Sequence, residues 1–155
     1  MARHIWTVIC GQVMTDSVSG ALSLIQVIEE LGAEVLVPPG APVPQDPTVP
    51  LSLSIVSLWE RSSPGVPEDK ESYQVRIIDP NGKEIARNEQ VFSMIGPHVR
   101  SRNIMNVQGL PVNASGRYEF RVFEHRAAKW IQVAVVPVQL KVSARSADPA
   151  PARPS

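Results

Sequence analysis

The run Val107 to Phe123 constrains the fold more than any other part of this chain. It reads V-Q-G-L-P-V-N-A-S-G-R-Y-E-F-R-V-F, a glycine-punctuated turn followed by strict alternation. Tyr118, Phe120 and Val122 fall on one side, and Arg117, Glu119 and Arg121 on the other. Only an extended strand with one face buried gives apolar residues that period of two.

The same alternation recurs along the chain. Leu51, Leu53 and Ile55 are separated by serines, after which the apolar phase shifts to Val56 and Leu58, implying a bulge or burial on both faces. Tyr73, Val75 and Ile77 alternate with Gln74 and Arg76 and lead into Asp79-Pro80-Asn81-Gly82. That quartet suits a type I turn closing a hairpin, with Ile85 to Ile95 as the returning strand. Val99 to Val107 and Lys129 to Val142 read as further strands, and Pro137 requires an edge or a bulge because it has no amide proton to donate. Ala21, Leu24, Ile25, Ile28 and Leu31 match a helical face, with Ser19 placed as a cap and Gly32 after the end.

Proline marks the interruptions. Six of the 15 prolines lie between Pro38 and Pro50, a stretch that reads as a stiff connector. Its P-x-x-P spacings (Pro39 and Pro42, Pro44 and Pro47, Pro47 and Pro50) also suit docking in an aromatic groove. The Pro/Ala-rich end is too poor in apolar residues to order itself, so the expected organisation is one domain over 1–142 and a disordered tail over 143–155. At least seven short strands with hairpin turns argue for an antiparallel β-sandwich. Trp6, Trp59 and Trp130, on three separate strands, are expected to fill the core between its sheets.

A tyrosine behind a turn at the head of a late strand, as Tyr118 stands, is the placement found in the tyrosine corner of immunoglobulin-like sandwiches. Together with S-G-A-L-S-L-I-Q-V-I (Ser19 to Ile28), the D-P-N-G hairpin and G-L-P-V-N-A-S-G-R-Y-E-F-R-V (Gly109 to Val122), it gives a chain that resembles a family of small bacterial proteins of unknown function. The resemblance covers most of Trp6 to Val142. It implies an immunoglobulin-like β-sandwich of about seven to nine strands, with Ala21 to Val27 as a strand despite its helical pattern and Ile28 to Leu31 able to turn helically. It carries no catalytic residues.

Little in the sequence points to chemistry. The formal net charge is zero, 15 cations against 15 anions, so no global field draws nucleic acid or an anionic membrane. His4, His98 and His125 lack ligand spacing, and no metal or cofactor is expected. Cys10, the single cysteine, sits in an apolar run and reads as a small buried hydrophobe in a reducing compartment. Ile5 to Met14 is interrupted by Gly11 and Gln12 and is followed by no signal-peptide cleavage site, so the expected location is the cytoplasm. Asn113-Ala114-Ser115, which matches a glycosylation acceptor, is read as turn chemistry.

Arginine outnumbers lysine, 11 to 4. Arg100 and Arg102 share one side of a strand, and Arg117 and Arg121 share one side of the next. Neighbouring strands would bring the four together as a surface for an anion or an acidic protein. The expected function is a non-enzymatic module that binds another protein, resting on a sandwich scaffold without a catalytic constellation and on the rigid proline loop, with the four arginines as candidate contacts. A small-ligand protein or enzyme, with a site assembled from distant strands, is the alternative. The two separate on whether a deep pocket holds polar groups with shifted ionisation or a surface offers apolar area and open strand edges.

Overall fold

The structure, a computed structural model, describes residues 2–42, 44, 47–61, 68–95, 100–112 and 114–146. Nine strands follow in chain order: β1 (Ala2–Thr15), β2 (Leu22–Val27), β3 (Glu30–Val37), β4 (Thr48–Arg61), β5 (Glu68–Ile78), β6 (Glu84–Ile95), β7 (Arg100–Pro111), β8 (Gly116–Arg126) and β9 (Lys129–Ser146). They form two sheets, β2-β1-β4-β7 and β3-β9-β8-β5-β6. No helix occurs among the described residues, so none there is long and apolar enough to cross a membrane.

The inward side of each strand builds the core. Ile9, Leu53, Ile55, Trp59 and Met105 from the first sheet meet Tyr73, Val75, Ile77, Phe92, Tyr118, Phe120 and Val122 from the second. Trp59 is the bridge, its ring centroid 5.3 Å from that of Tyr73 and 5.5 Å from that of Phe92. The Tyr73 hydroxyl donates to Gln90 Oε1 at 2.7 Å, and burial pushes that phenol up to about 12.

The turn read at Asp79 forms as expected. Gly82 N–H donates to the Asp79 carbonyl at 3.0 Å, while the Asp79 carboxylate accepts from the amides of Asn81 and Lys83 at 2.9 and 2.8 Å. Gly82 follows with φ of 83°, a conformation that costs glycine nothing. The Tyr118 hydroxyl donates to the Ala114 carbonyl at 2.8 Å, four residues upstream, and closes the tyrosine corner. Ser115 Oγ accepts from the Val142 amide at 2.9 Å, so the segment read as turn chemistry ties the head of β8 to β9. Removing the corner hydroxyl in Tyr118→Phe is expected to cost about 1–2 kcal/mol in urea unfolding. An unchanged midpoint would show that the bond contributes nothing.

Five expectations are corrected. The sandwich is antiparallel except for β3, which runs parallel to β9 from Glu30↔Gln139 to Val37↔Ser146. That pairing carries β9 to Ser146, four residues past the expected end at Val142. The expected tail thus begins inside a paired strand, and residues 147–155 lie outside the described ones. Ala21 to Val27 forms a strand as expected, β2, but Ile28 to Leu31, read as able to turn helically, leads straight into β3 at Glu30. Trp6 stands across from Leu58, on the face opposite Trp59, and so points away from the core. Trp130 is half-buried against His125 at the β8–β9 turn, with ring centroids 4.9 Å apart. The Gly96-Pro97 break, His98 and part of the proline-rich connector lie outside the described residues.

Two features follow from local geometry. Pro137 pairs with Glu119 on β8, and its other side faces a stretch of β9 that β3 does not cover, so its missing amide proton interrupts no ladder. The β8–β9 hairpin turns on Ala127 and Ala128 at φ of 48° and 62°, a pair of left-handed residues that the sequence signals with neither asparagine nor glycine. Replacing the pair by Asn-Gly is expected to stabilise the protein by roughly 1–2 kcal/mol, because alanine is strained in that conformation. Thermal unfolding measures it, and a lower midpoint would show that the turn depends on the alanine side chains.

Candidate functional site

Pleat parity places the four arginines. Met105 points into the core, so Arg100, Arg102, Ile104 and Asn106 line the outer face of the first sheet. Arg117 and Arg121 line the outer face of the second, opposite the core residues Tyr118, Phe120 and Val122. Strands β7 and β8 are consecutive in sequence but belong to different sheets, so the structure brings the arginines together as two pairs and not as four.

Each pair has local work. Arg100 and Arg3 flank Glu60, donating at 3.2 and 2.6 Å, and these bonds, Arg3 first, hold its carboxyl below the usual range. Arg121 donates through Nε and Nη2 to Glu119 Oε2 at 3.0 and 2.8 Å, while Arg117 Nε stands 3.7 Å from the other oxygen with its side chain 63% exposed. Arg102 Nη1 donates to the Gly20 carbonyl at 3.1 Å.

That last bond reveals how the first hairpin sits. Arg102 lies in the row of Leu58 and Trp6, and Thr15, where the hairpin begins its turn, comes nine residues after Trp6. A straight strand would carry the turn about 30 Å away at ~3.3 Å per residue, far beyond the reach of an arginine. The β1–β2 hairpin therefore folds back over the outer face of the first sheet. Gly11 stands opposite Gln26 where the hairpin leaves the sheet, and a Cβ there would come within 2.7 Å of Gln26 Oε1. The fold-back accounts for Val56 and Cys10, which point away from the core yet have no exposed surface. Leu53-to-Leu58 burial on both faces is the cause of the phase shift read in the sequence. Burial pushes the Cys10 thiol up, away from the thiolate a nucleophile requires.

Three concave places collect polar groups. At one end of the sandwich Glu71, Glu124 and Arg126 gather beside Trp59; the Ala2 amide donates to Glu71 at 2.8 Å, and Arg126 pairs with Glu124. Glu124 is 6% exposed and its carboxyl is raised, chiefly by burial, with the Glu71 charge adding and Arg126 opposing. The space among these groups is about 10 Å³, roughly one water and no substrate.

A native state that binds this proton more tightly than the unfolded chain gains stability from Glu124 at low pH. It loses that gain as pH rises from the ordinary glutamate range through the raised native value. Thermal midpoints of Glu124→Gln and the parent are therefore expected to diverge in the variant's favour across that window. Parallel curves would show that Glu124 titrates normally.

The second place, about 270 Å³, opens between β6 and β7 over Ile55, Val75, Ile77 and Met105. Its rim is already engaged: Arg87 donates to Glu84 at 2.7 Å, and Ser54 donates to Asn106 at 3.0 Å.

The third, about 420 Å³, lies where β1 of one sheet and β9 of the other run side by side. Val8, Val27, Ile28, Val136 and Pro137 give it an apolar lining, and Thr7, Glu29, Arg117 and Gln139 supply polar groups. Both walls are strand edges. β1 pairs with β4 on one side and meets β2 only from Cys10 onward; β9 pairs with β8 and meets β3 only from Gln139 onward. Among the described residues, Arg3 to Val8 and Lys129 to Val138 thus keep one side without a strand partner. Val27 is 57% exposed at the mouth. Of the four arginines, Arg117 is the one that reaches this groove. Sequence reasoning found Arg117 and the edge character of Pro137 but missed Val27, Ile28 and Glu29, whose exposure follows from the folded-back hairpin and from no local pattern.

Among the described residues, no group of three His, Cys, Asp or Glu side chains converges to hold a metal ion. Two packed sheets built of strands alone among the described residues define an all-β sandwich. No protein-family model matches the chain, and no curated protein matches it.

Proposed function

We propose that this protein is a non-enzymatic binding module that receives an extended segment of another protein in the groove between β1 and β9. The observation that carries the reading is the pair of open strand edges flanking an apolar floor. Open edges offer backbone donors and acceptors to an added strand, and the apolar floor takes its alternate side chains. Arg117 and Glu29 stand on the rim to set direction and register, since charges at an interface steer and orient more than they tighten. The resemblance to small bacterial proteins that carry no catalytic residues supports the same reading, as does the lack of room around Glu124.

Affinity capture from the native host tests it, with Val27→Glu and an Arg100→Ala/Arg102→Ala double variant run beside the parent. The expected result is a protein retained by the parent and the double variant and lost from Val27→Glu. Loss from the double variant alone would place the contact on the outer face of the first sheet and overturn the groove.

A further inference from the structure

Among the described residues, β2 is the strand with an open edge that carries neither a charged residue nor a proline anywhere along its length. β2 pairs with β1 alone, so one side of Leu22 to Val27 has no strand partner among the described residues. Proteins protect such edges with charges or proline, because a bare edge templates pairing with another chain. Glu30 and Glu34 stand on β3, Glu84, Arg87 and Glu89 on β6, Arg100 and Arg102 on β7, Arg3 on β1, and Lys129 and Pro137 on the open half of β9. Residues 17–28, S-V-S-G-A-L-S-L-I-Q-V-I, contain neither a charge nor a proline.

The side chains carry the same message. Val13, Leu22 and Leu24 are half-buried on the side turned to the sheet, while the outward side shows Met14 at 52% and Ile25 at 37% exposure. An uncharged edge gives a charged partner nothing to read. It is, however, complementary to itself in any antiparallel register, since no pairing sets like charge against like. The formal net charge of zero adds no long-range repulsion between copies.

We propose that β2 is a self-association edge: two copies of this chain pair their β2 strands antiparallel about a two-fold axis, joining the two hairpins into one four-stranded ribbon. A two-fold axis across the ribbon sets Ile25 and Met14 of each copy on the same outward side as those of its mate, an isologous contact. Six residues on each side make a small interface, so the dimer is weak and depends on concentration. This edge touches the groove between β1 and β9 only at its Val27 end, and neither proposal requires the other.

Sedimentation equilibrium of the full chain over a wide concentration series tests the pairing, with Ile25→Lys and Ser23→Lys in parallel and circular dichroism confirming the fold of each. Reversible dimerisation of the 16.9 kDa chain is expected, abolished by either lysine, which places a like charge on both copies within the short shared ribbon. Amides of β2 should exchange more slowly in the concentrated parent than in the dilute one, a readout that needs no variant. A parent that stays monomeric would overturn the proposal and leave the edge unpaired or reserved for a different chain. Association that survives both lysines, or that leaves β2 exchange unchanged, would overturn it as well.

Discussion

Trp59→Ala is expected to lower the unfolding free energy by about 3–5 kcal/mol, the range for deleting a fully buried tryptophan. Trp59 is 1% exposed and is the side chain through which the first sheet touches the aromatic cluster of the second, with Tyr73 and Phe92 on one side and His4 edge-on at 5.1 Å on the other. Its loss removes transfer free energy and opens a cavity between the sheets that rigid strands cannot close. Domains of this size are stable by about 5–15 kcal/mol, so the variant would fall near the limit of folding at 37 °C. Urea unfolding measures it. A cost below about 1 kcal/mol would mean that the sheets are not joined through this residue.

Gly116→Ala is the second large effect, expected at roughly 2–4 kcal/mol from backbone strain and overpacking together. Gly116 opens β8 at φ of 151°, and a Cβ built there would stand 2.8 Å from Pro80 Cγ and 2.9 Å from Pro80 Cβ. The proline is held by the Asp79 turn and cannot yield, so the head of β8 and the β5–β6 turn fit only if position 116 has no side chain. Pro80→Ala removes one of the two opposing atoms. Combined with Gly116→Ala, it should recover part of the loss, and purely additive costs would show that the two positions do not touch.

Legibility in the sequence followed the range of the interaction. The Asp79 turn, the β5, β6 and β8 alternation and the Tyr118 corner are set by neighbours a few residues apart, and each stands where the pattern put it. The β3–β9 pairing joins Glu30 to Gln139, and no local pattern encodes which distant strand a segment will meet or in which direction. Alternation likewise told which arginines share a side, but not that β7 and β8 part into different sheets. The apolar run around Cys10 encodes its burial but not what covers it, because the covering hairpin bends back at Gly11 and Gln26. Trp6 and Trp130 misled since a large aromatic is apolar on whichever face it lies, and only the register of β1 and the β8–β9 turn decides.

The groove between β1 and β9 is the centre of the functional account, and photocrosslinking in the native host tests it most directly. A photoreactive residue is placed at Pro137, exposed on the groove wall, and separately at Val91, 67% exposed on the far edge strand β6. The account predicts a discrete crosslinked protein from position 137 and none from position 91. Crosslinks from position 91 alone, or the same products from both, would contradict it.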